Sequence, residues 1–133
     1  MATYTRDTLT IAEIIRLSDK KQLILQPKFQ RRRAWEEKAR SYLIDTVVRE
    51  LPMPKIFLRR ILNPETKLPA YEVVDGQQRL DAIISFRKGN LILSRKHNPD
   101  IGDSTFASLT DPVQKIFLEY KISAELIDGA SDS

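Results

Sequence analysis

Two prolines one residue apart, in Leu51-Pro52-Met53-Pro54, divide this chain more sharply than any other local feature. Proline has no amide hydrogen to donate and disfavours helical geometry in the residue before it. The longest helical pattern of the sequence, from Glu36 to Leu51, therefore has to stop here, and an extended segment has to follow. Within that pattern Ala39, Tyr42, Leu43, Thr46, Val47 and Glu50 recur at steps of three and four. Beyond the prolines, Ile56-Phe57-Leu58 and Tyr71-Glu72-Val73-Val74 read as strands. Asn63-Pro64-Glu65-Thr66 between them supplies turn chemistry, which predicts an antiparallel hairpin with a loose tip.

The flanks repeat this mixture. Thr10-Ile11-Ala12-Glu13 is a capping-box signature opening a short helix with Ile11, Ile14, Ile15 and Leu17 on its apolar face. Leu23-Ile24-Leu25 reads as a brief strand stopped by Pro27. Gln77 to Lys88 reads as a helix with Leu80, Ile83 and Ile84 inward and Gly89 as its stop. Leu91-Ile92-Leu93 is a further short strand, residues 110–120 a helix opened by Thr110-Asp111-Pro112, and Ile122 to Ile127 a last strand. The order is helix, strand, helix, hairpin, helix, strand, helix, strand, an α+β domain over residues 1–128. Residues 129–133, Gly-Ala-Ser-Asp-Ser, resemble the start of a linker to a missing C-terminal domain, or the frayed end of a naturally short chain.

A length of 133 residues fits one domain, and 41% hydrophobic with 30% charged residues fits an ordered one. Zero cysteine removes disulfides, thiolate nucleophiles, iron–sulfur clusters and cysteine-based zinc sites. His97 is the one histidine, so a multi-histidine metal centre is also excluded. The formal charge of +4 is unevenly spread. Residues 1–99 carry 20 Lys and Arg against 11 Asp and Glu, a net +9; residues 100–133 carry 2 against 7, a net −5. A basic body with an acidic end suits a polyanionic partner, although lysines and arginines also simply solvate helix faces. There is no targeting signal and no apolar stretch near the roughly 20 residues of a membrane span, so a cytoplasmic location is the expectation.

The residues that carry chemistry lie in Val73-Val74-Asp75-Gly76-Gln77-Gln78-Arg79-Leu80. A strand runs into Asp-Gly and a helix begins at once. Glycine lets a ligand approach the backbone, and the first amides of a helix face outward along the positive end of its dipole. Arg79 can clamp phosphate oxygens, and Gln77 and Gln78 offer amide donors and acceptors. Asp75 stands where a carboxylate can hold Mg²⁺ or orient a water. A plain strand–turn–helix corner accounts for the same residues, with Asp75 as cap and Arg79 as surface cation. A second feature is Gln26-Pro27-Lys28-Phe29-Gln30-Arg31-Arg32-Arg33-Ala34-Trp35, three arginines beside two aromatic residues. Guanidinium groups pair with phosphate and rings stack on bases; equally, Phe29 and Trp35 can anchor a core while the arginines face water.

Taken together, Pro27-Lys28-Phe29-Gln30-Arg31, Trp35, Leu43-Ile44-Asp45-Thr46, Leu51-Pro52-Met53-Pro54 and Asp75-Gly76-Gln77-Gln78-Arg79-Leu80 carry a resemblance. The chain resembles the GmrSD-type restriction endonuclease N-terminal domain family over roughly residues 8–128. That family looks like a branch of the ParB/sulfiredoxin-like superfamily. The resemblance implies a ParB-like domain, a small mixed sheet with packed helices. It implies nucleoside triphosphate with Mg²⁺ as ligand, held by Gly76, Gln77, Gln78 and Arg79, with Gln30 and Arg31 lining the pocket from the other side. Asp75 and Arg79 would be the catalytic pair, Asp75 also the metal ligand, and Lys28, Arg32 and Arg33 would contact DNA.

The implied function is a nucleotide-binding, NTP-hydrolysing regulatory part of a modification-dependent (type IV-like) restriction or phage-defence protein. DNA cutting would belong to a C-terminal HNH nuclease domain or subunit that this chain lacks. The alternative is a module that senses modified DNA or a partner protein without NTPase activity; a ParB-like DNA nuclease comes third. Sulfiredoxin-type redox chemistry is excluded by the missing cysteine. Of the remaining candidates, His97 lies in a basic loop where it touches phosphate or water. Tyr4, Tyr42, Tyr71 and Tyr120 read as packing residues. Asp45 is either the partner of an arginine or an exposed helix charge.

Overall fold

A computed structural model of the chain describes residues 3–25 and 37–128. These residues form two compact units, residues 3–25, 54–77 and 121–128 in one, residues 37–53 and 78–120 in the other.

The first unit is a five-stranded mixed sheet with one helix. The strands are β1 (Thr3–Thr10), β2 (Leu23–Ile24), β3 (Ile56–Leu62), β4 (Pro69–Asp75) and β5 (Lys121–Asp128), in the spatial order β1-β5-β3-β4-β2. The β1–β5 and β3–β4 pairs are antiparallel, and the β3–β5 and β2–β4 pairs parallel. Side chains alternate across the sheet. Ile56 opposes Ala124, and Leu58 opposes both Leu126 and Val73, and all five are buried. Each Ile or Leu removed from water this way stabilises the fold by about 1.5–3 kcal/mol. Helix α1 (Ile11–Asp19) leaves β1 without a loop. The Thr10 hydroxyl accepts from the Glu13 amide at 3.2 Å and the Glu13 carboxylate accepts from the Thr10 amide at 2.8 Å, so the capping box is formed in full. Ile11 and Ile14 are its buried residues.

The second unit is helical. It contains α2 (Glu37–Val48), all but the first residue of α3 (Gln77–Arg87), a 3-10 turn at Phe106–Ser108, and α4 (Asp111–Glu119). Leu43, Ile44, Val47 and Val48 of α2 are buried, and α2 lies against α4. Phe86, Phe106 and Phe117 form an aromatic triangle with centroids 5.2 to 6.3 Å apart and tilted or edge-on rings, the arrangement ring quadrupoles favour. The Tyr120 hydroxyl donates to the Leu51 carbonyl at 2.6 Å, and burial pushes its phenol above the usual value.

The α+β class and the hairpin agree with the sequence pattern, and four details differ. β1 carries no apolar alternation: Thr5, Arg6, Asp7 and Thr8 are all exposed, and only pairing with β5 along its whole length makes it a strand. Leu91-Ile92-Leu93 alternates buried and exposed as a strand would. Among the described residues it has no partner strand, however, and makes a single bridge between Leu93 and Ser104. Tyr42 is 61% exposed; Ile44 and Val48 take the inward positions. The hairpin tip is tied rather than loose. Buried Asn63 accepts from the Glu65 and Thr66 amides at 2.7 and 3.3 Å and donates to the Lys21 carbonyl at 2.7 Å.

Helix α2 also stops before the prolines reach it. The Glu50 amide donates to the Val47 carbonyl and the Leu51 amide to the Thr46 carbonyl, closing the helix with Glu50 at φ +59°. The same two bonds close α1 around Lys21 at φ +60° and α3 around Gly89 at φ +88°. This position favours glycine because a Cβ crowds the carbonyl there, and only α3 has one. Glu50 further sets a carboxylate at the negative end of the α2 dipole. Glu50→Gly is expected to stabilise the protein by about 0.5–1 kcal/mol after allowing for the extra freedom of an unfolded glycine. The check is a urea unfolding curve; an unchanged or lower midpoint contradicts the account.

Candidate functional site

β4 ends at Asp75 and α3 begins at Gln77, leaving Gly76 alone to turn the chain. Its φ of +104° is open to glycine and strained for other residues. The turn is prepared by an irregularity in the β3–β4 ladder. Phe57 pairs with Asp75 and Leu58 with Val73, so Val74 is an extra residue on β4. A bulge of this kind bends its strand and re-aims the side chains that follow. Gln77, Gln78 and Arg79 are then the first three residues of an eleven-residue helix whose first turn contains no acidic residue. Asp81, the next carboxylate along α3, is engaged by Arg40 at 3.3 Å. Local chain geometry thus places Asp75, Gly76, Gln77, Gln78 and Arg79 together at the positive end of a helix. Lys28, Gln30, Arg31, Arg32 and Arg33 lie outside the described residues.

Sequence pattern alone missed a row of side chains on the sheet face opposite the core. Arg6 opposes Glu125, Glu125 opposes Phe57, and Phe57 opposes Asp75, one residue from each of β1, β5, β3 and β4. Lys55, two residues before Phe57, sets its ammonium 5.4 Å from the Phe57 ring centroid and 3.2 Å from the Glu125 carboxylate. Arg6 reaches the same Glu125 at 3.5 Å. Arg59 pairs with its cross-strand neighbour Glu72 on this face. The row depends on the β1–β5 register, which has no hydrophobic signature in β1, so no short window of sequence reveals it.

A second polar cluster ties the segment around His97 to α2. Buried Ser41 accepts from the Ser94 amide at 2.8 Å, and its hydroxyl is hydrogen-bonded to His97 Nδ1 at 2.9 Å. Buried Asp45 accepts from Arg49 at 2.8 Å and from the Asn98 amide group at 3.0 Å. Arg49 also donates to the His97 carbonyl at 3.3 Å, and the Tyr42 ring lies 5.7 Å from the imidazole. Asp45 is thus the buried partner of an arginine, and His97 is tied to α2 through its Nδ1 and its carbonyl. Among the described residues no group of three or more His, Asp or Glu is placed to hold a metal ion.

A bulged strand that passes through one glycine into an arginine-bearing helix start gives this small α+β chain a candidate anion-binding turn. The chain belongs to the GmrSD restriction endonuclease N-terminal domain family, whose model matches residues 11–131. Neither the curated proteins nor the solved structures contain a match to it. Membership makes the chain a module of a restriction system. None of the helices among the described residues is long and apolar enough to cross a membrane.

The turn has a direct test. Gly76→Ala has to hold a Cβ at φ +104° or let the backbone shift, and is expected to cost about 1–2 kcal/mol. Urea unfolding measures that cost; a variant as stable as the parent shows that the turn does not require glycine.

Proposed function

We propose that this restriction-system module binds a nucleoside triphosphate at the Asp75–Arg79 turn and hydrolyses it. The observation that carries the reading is the turn itself: a glycine at φ +104° delivers the chain from a bulged strand end straight into α3, with Arg79 in the first turn. Backbone amides at a helix start bind anions without any side chain, and a guanidinium adds two parallel charge-assisted bonds to phosphate oxygens. Gln77 and Gln78 have both donors and acceptors and are suited to orienting ribose, base or the attacking water. Phosphoryl transfer needs positioning and charge stabilisation more than covalent chemistry, so the lack of a thiol or histidine nucleophile is no obstacle.

Asp75 fits the way Mg²⁺ is usually held beside a nucleotide, through one or two carboxylates with the phosphates completing the shell. It is exposed at the strand end, and no all-protein cage exists among the described residues. When bound, the ion would neutralise phosphate charge. In the proposed site Arg79 and the α3 amides hold the phosphate oxygens, Asp75 orients water, and Gln30 and Arg31 approach the same phosphates. Lys28, Arg32 and Arg33 supply contacts to DNA, and cutting falls to an HNH-type nuclease domain or subunit.

Arg79→Ala is expected to lower NTP turnover by a hundredfold or more, because a charge-assisted contact made in the transition state is lost. Phosphate release with each of the four ribonucleoside triphosphates and Mg²⁺ measures it, with circular dichroism confirming the fold. A folded variant hydrolysing at the parent rate removes the assignment.

A further inference from the structure

The helical unit carries an aromatic group that neither its core nor the proposed nucleotide turn uses. Tyr42 on α2 is 61% exposed, and the His97 imidazole lies against it with ring centroids 5.7 Å apart. We infer that Tyr42 and His97 form a stacking platform for an unpaired base of a DNA strand, with Lys38 and Arg49 beside it for the flanking phosphates. This site rests on the reading that DNA is a partner of the module. It adds to that reading a surface of the helical unit that distinguishes single strand from duplex.

The platform is braced by the helix that bears it. Ser41, the residue before Tyr42, is buried; its hydroxyl accepts from the Ser94 amide at 2.8 Å and is hydrogen-bonded to His97 Nδ1 at 2.9 Å. The His97 amide donates to the Ser94 carbonyl at 3.0 Å, and the His97 carbonyl accepts from Arg49 at 3.3 Å. The histidine is therefore held by ring and backbone together, and it gives the tyrosine ring a fixed neighbour. A tyrosine has only two side-chain torsions, so a base that stacks on it orders little that was free before. With the Ser41 hydroxyl donating to Nδ1, Nε2 carries the ring hydrogen. That nitrogen has no hydrogen-bond partner among the described residues and is a donor for a phosphate oxygen.

Cations flank the ring on the same helix face. Lys38 stands one turn before Tyr42 and Arg49 two turns after it, and both are exposed. Arg49 spends part of its guanidinium fork on Asp45 and the His97 carbonyl, and its side chain is 43% exposed. Asp45, the carboxylate of this helical row, is buried and already held by Arg49 and Asn98. Lys96, next to His97, is exposed as well, whereas Arg95 is paired with Asp103. An aromatic face between cations suits a single strand, whose bases stack on rings while its phosphates meet positive charge. In a duplex the faces of each base are covered by its neighbours in the stack, so the ring has nothing to receive.

The experiment is fluorescence anisotropy of the whole chain with a labelled oligodeoxythymidine strand and with the same strand annealed to its complement, each over a range of salt. The proteins are the parent, Tyr42→Ala, Tyr42→Leu, Tyr42→Phe and Lys38→Gln, with circular dichroism confirming each fold. Single-strand affinity is expected to fall about tenfold in Tyr42→Ala and in Tyr42→Leu, which keeps bulk beside His97 without a ring, and to stay within about twofold in Tyr42→Phe. Duplex affinity is expected to stay within about twofold in all three, since the ring has no base face to meet there. Lys38→Gln is expected to flatten the log–log salt slope of single-strand binding by about 0.7, the loss of one phosphate contact. If the parent binds DNA and the folded Tyr42→Ala and Tyr42→Leu variants bind the single strand equally well, the platform is overturned while DNA contact elsewhere in the chain stands. An equal loss on single strand and duplex overturns the base-stacking role. A parent that binds neither probe overturns the DNA reading and the platform together.

Discussion

The sheet depends on β5. It is the last strand in the chain, yet it lies between β1 and β3, antiparallel to the first and parallel to the second. β1 has no other strand partner among the described residues, and β3 joins the β4–β2 half to the rest only through β5. Residues 3–10 must therefore meet residues 121–128 before the five-stranded sheet is complete, a long loop to close and a pairing of high sequence separation. On its other side, the β3–β5 register places Glu125 beside Phe57 and so fixes the charged row that leads to Asp75. One strand thus serves both stability and the open face.

This dependence explains what could be read from the sequence. Helices announce themselves locally. The capping box at Thr10 and Glu13, the glycine after α3 and the apolar positions Leu80 and Ile83 are where pattern places them. The hairpin was legible because its turn residues and both strands lie within one short window. The extent of β1 was not, since a run of exposed threonines and charges becomes a strand only when a partner arrives. Leu91-Ile92-Leu93 shows the reverse, strand-like alternation with no partner strand among the described residues. Alternation reports which side chains face inward; it does not report whether a neighbouring backbone is available for pairing.

The candidate site divides along the same line. Asp75 to Arg79 could be placed from sequence because the five residues are contiguous and the strand-to-helix change is local. Lys55, Phe57 and Glu125 could not, being brought together by register between two strands across 70 positions of chain. Asp45 lay between these cases. Its helical position left it either paired or exposed, and the Arg49 and Asn98 contacts, with its burial, make it a fixed strut of the second unit.

Charge gains a different meaning once pairs are assigned. The described residues carry 18 Lys and Arg against 16 Asp and Glu, close to balance. Much of that balance is consumed locally: Asp45 by Arg49, Glu72 by Arg59, Asp81 by Arg40, and Glu125 by Arg6 and Lys55. The excess lies in residues 26–36, four cations against one acid. A polyanion at a distance responds to unbalanced charge, and a phosphate in place responds to donors at fixed positions. In the proposed reading these two tasks fall on different stretches of this chain. Lys28 and Arg31 to Arg33 supply the attraction in the proposed reading, and the Gly76–Arg79 turn supplies the grip. On that division, added salt should weaken encounter with DNA through the first stretch more than it weakens nucleotide held at the second, because screening acts on exposed charge over distance and little on short, directed hydrogen bonds.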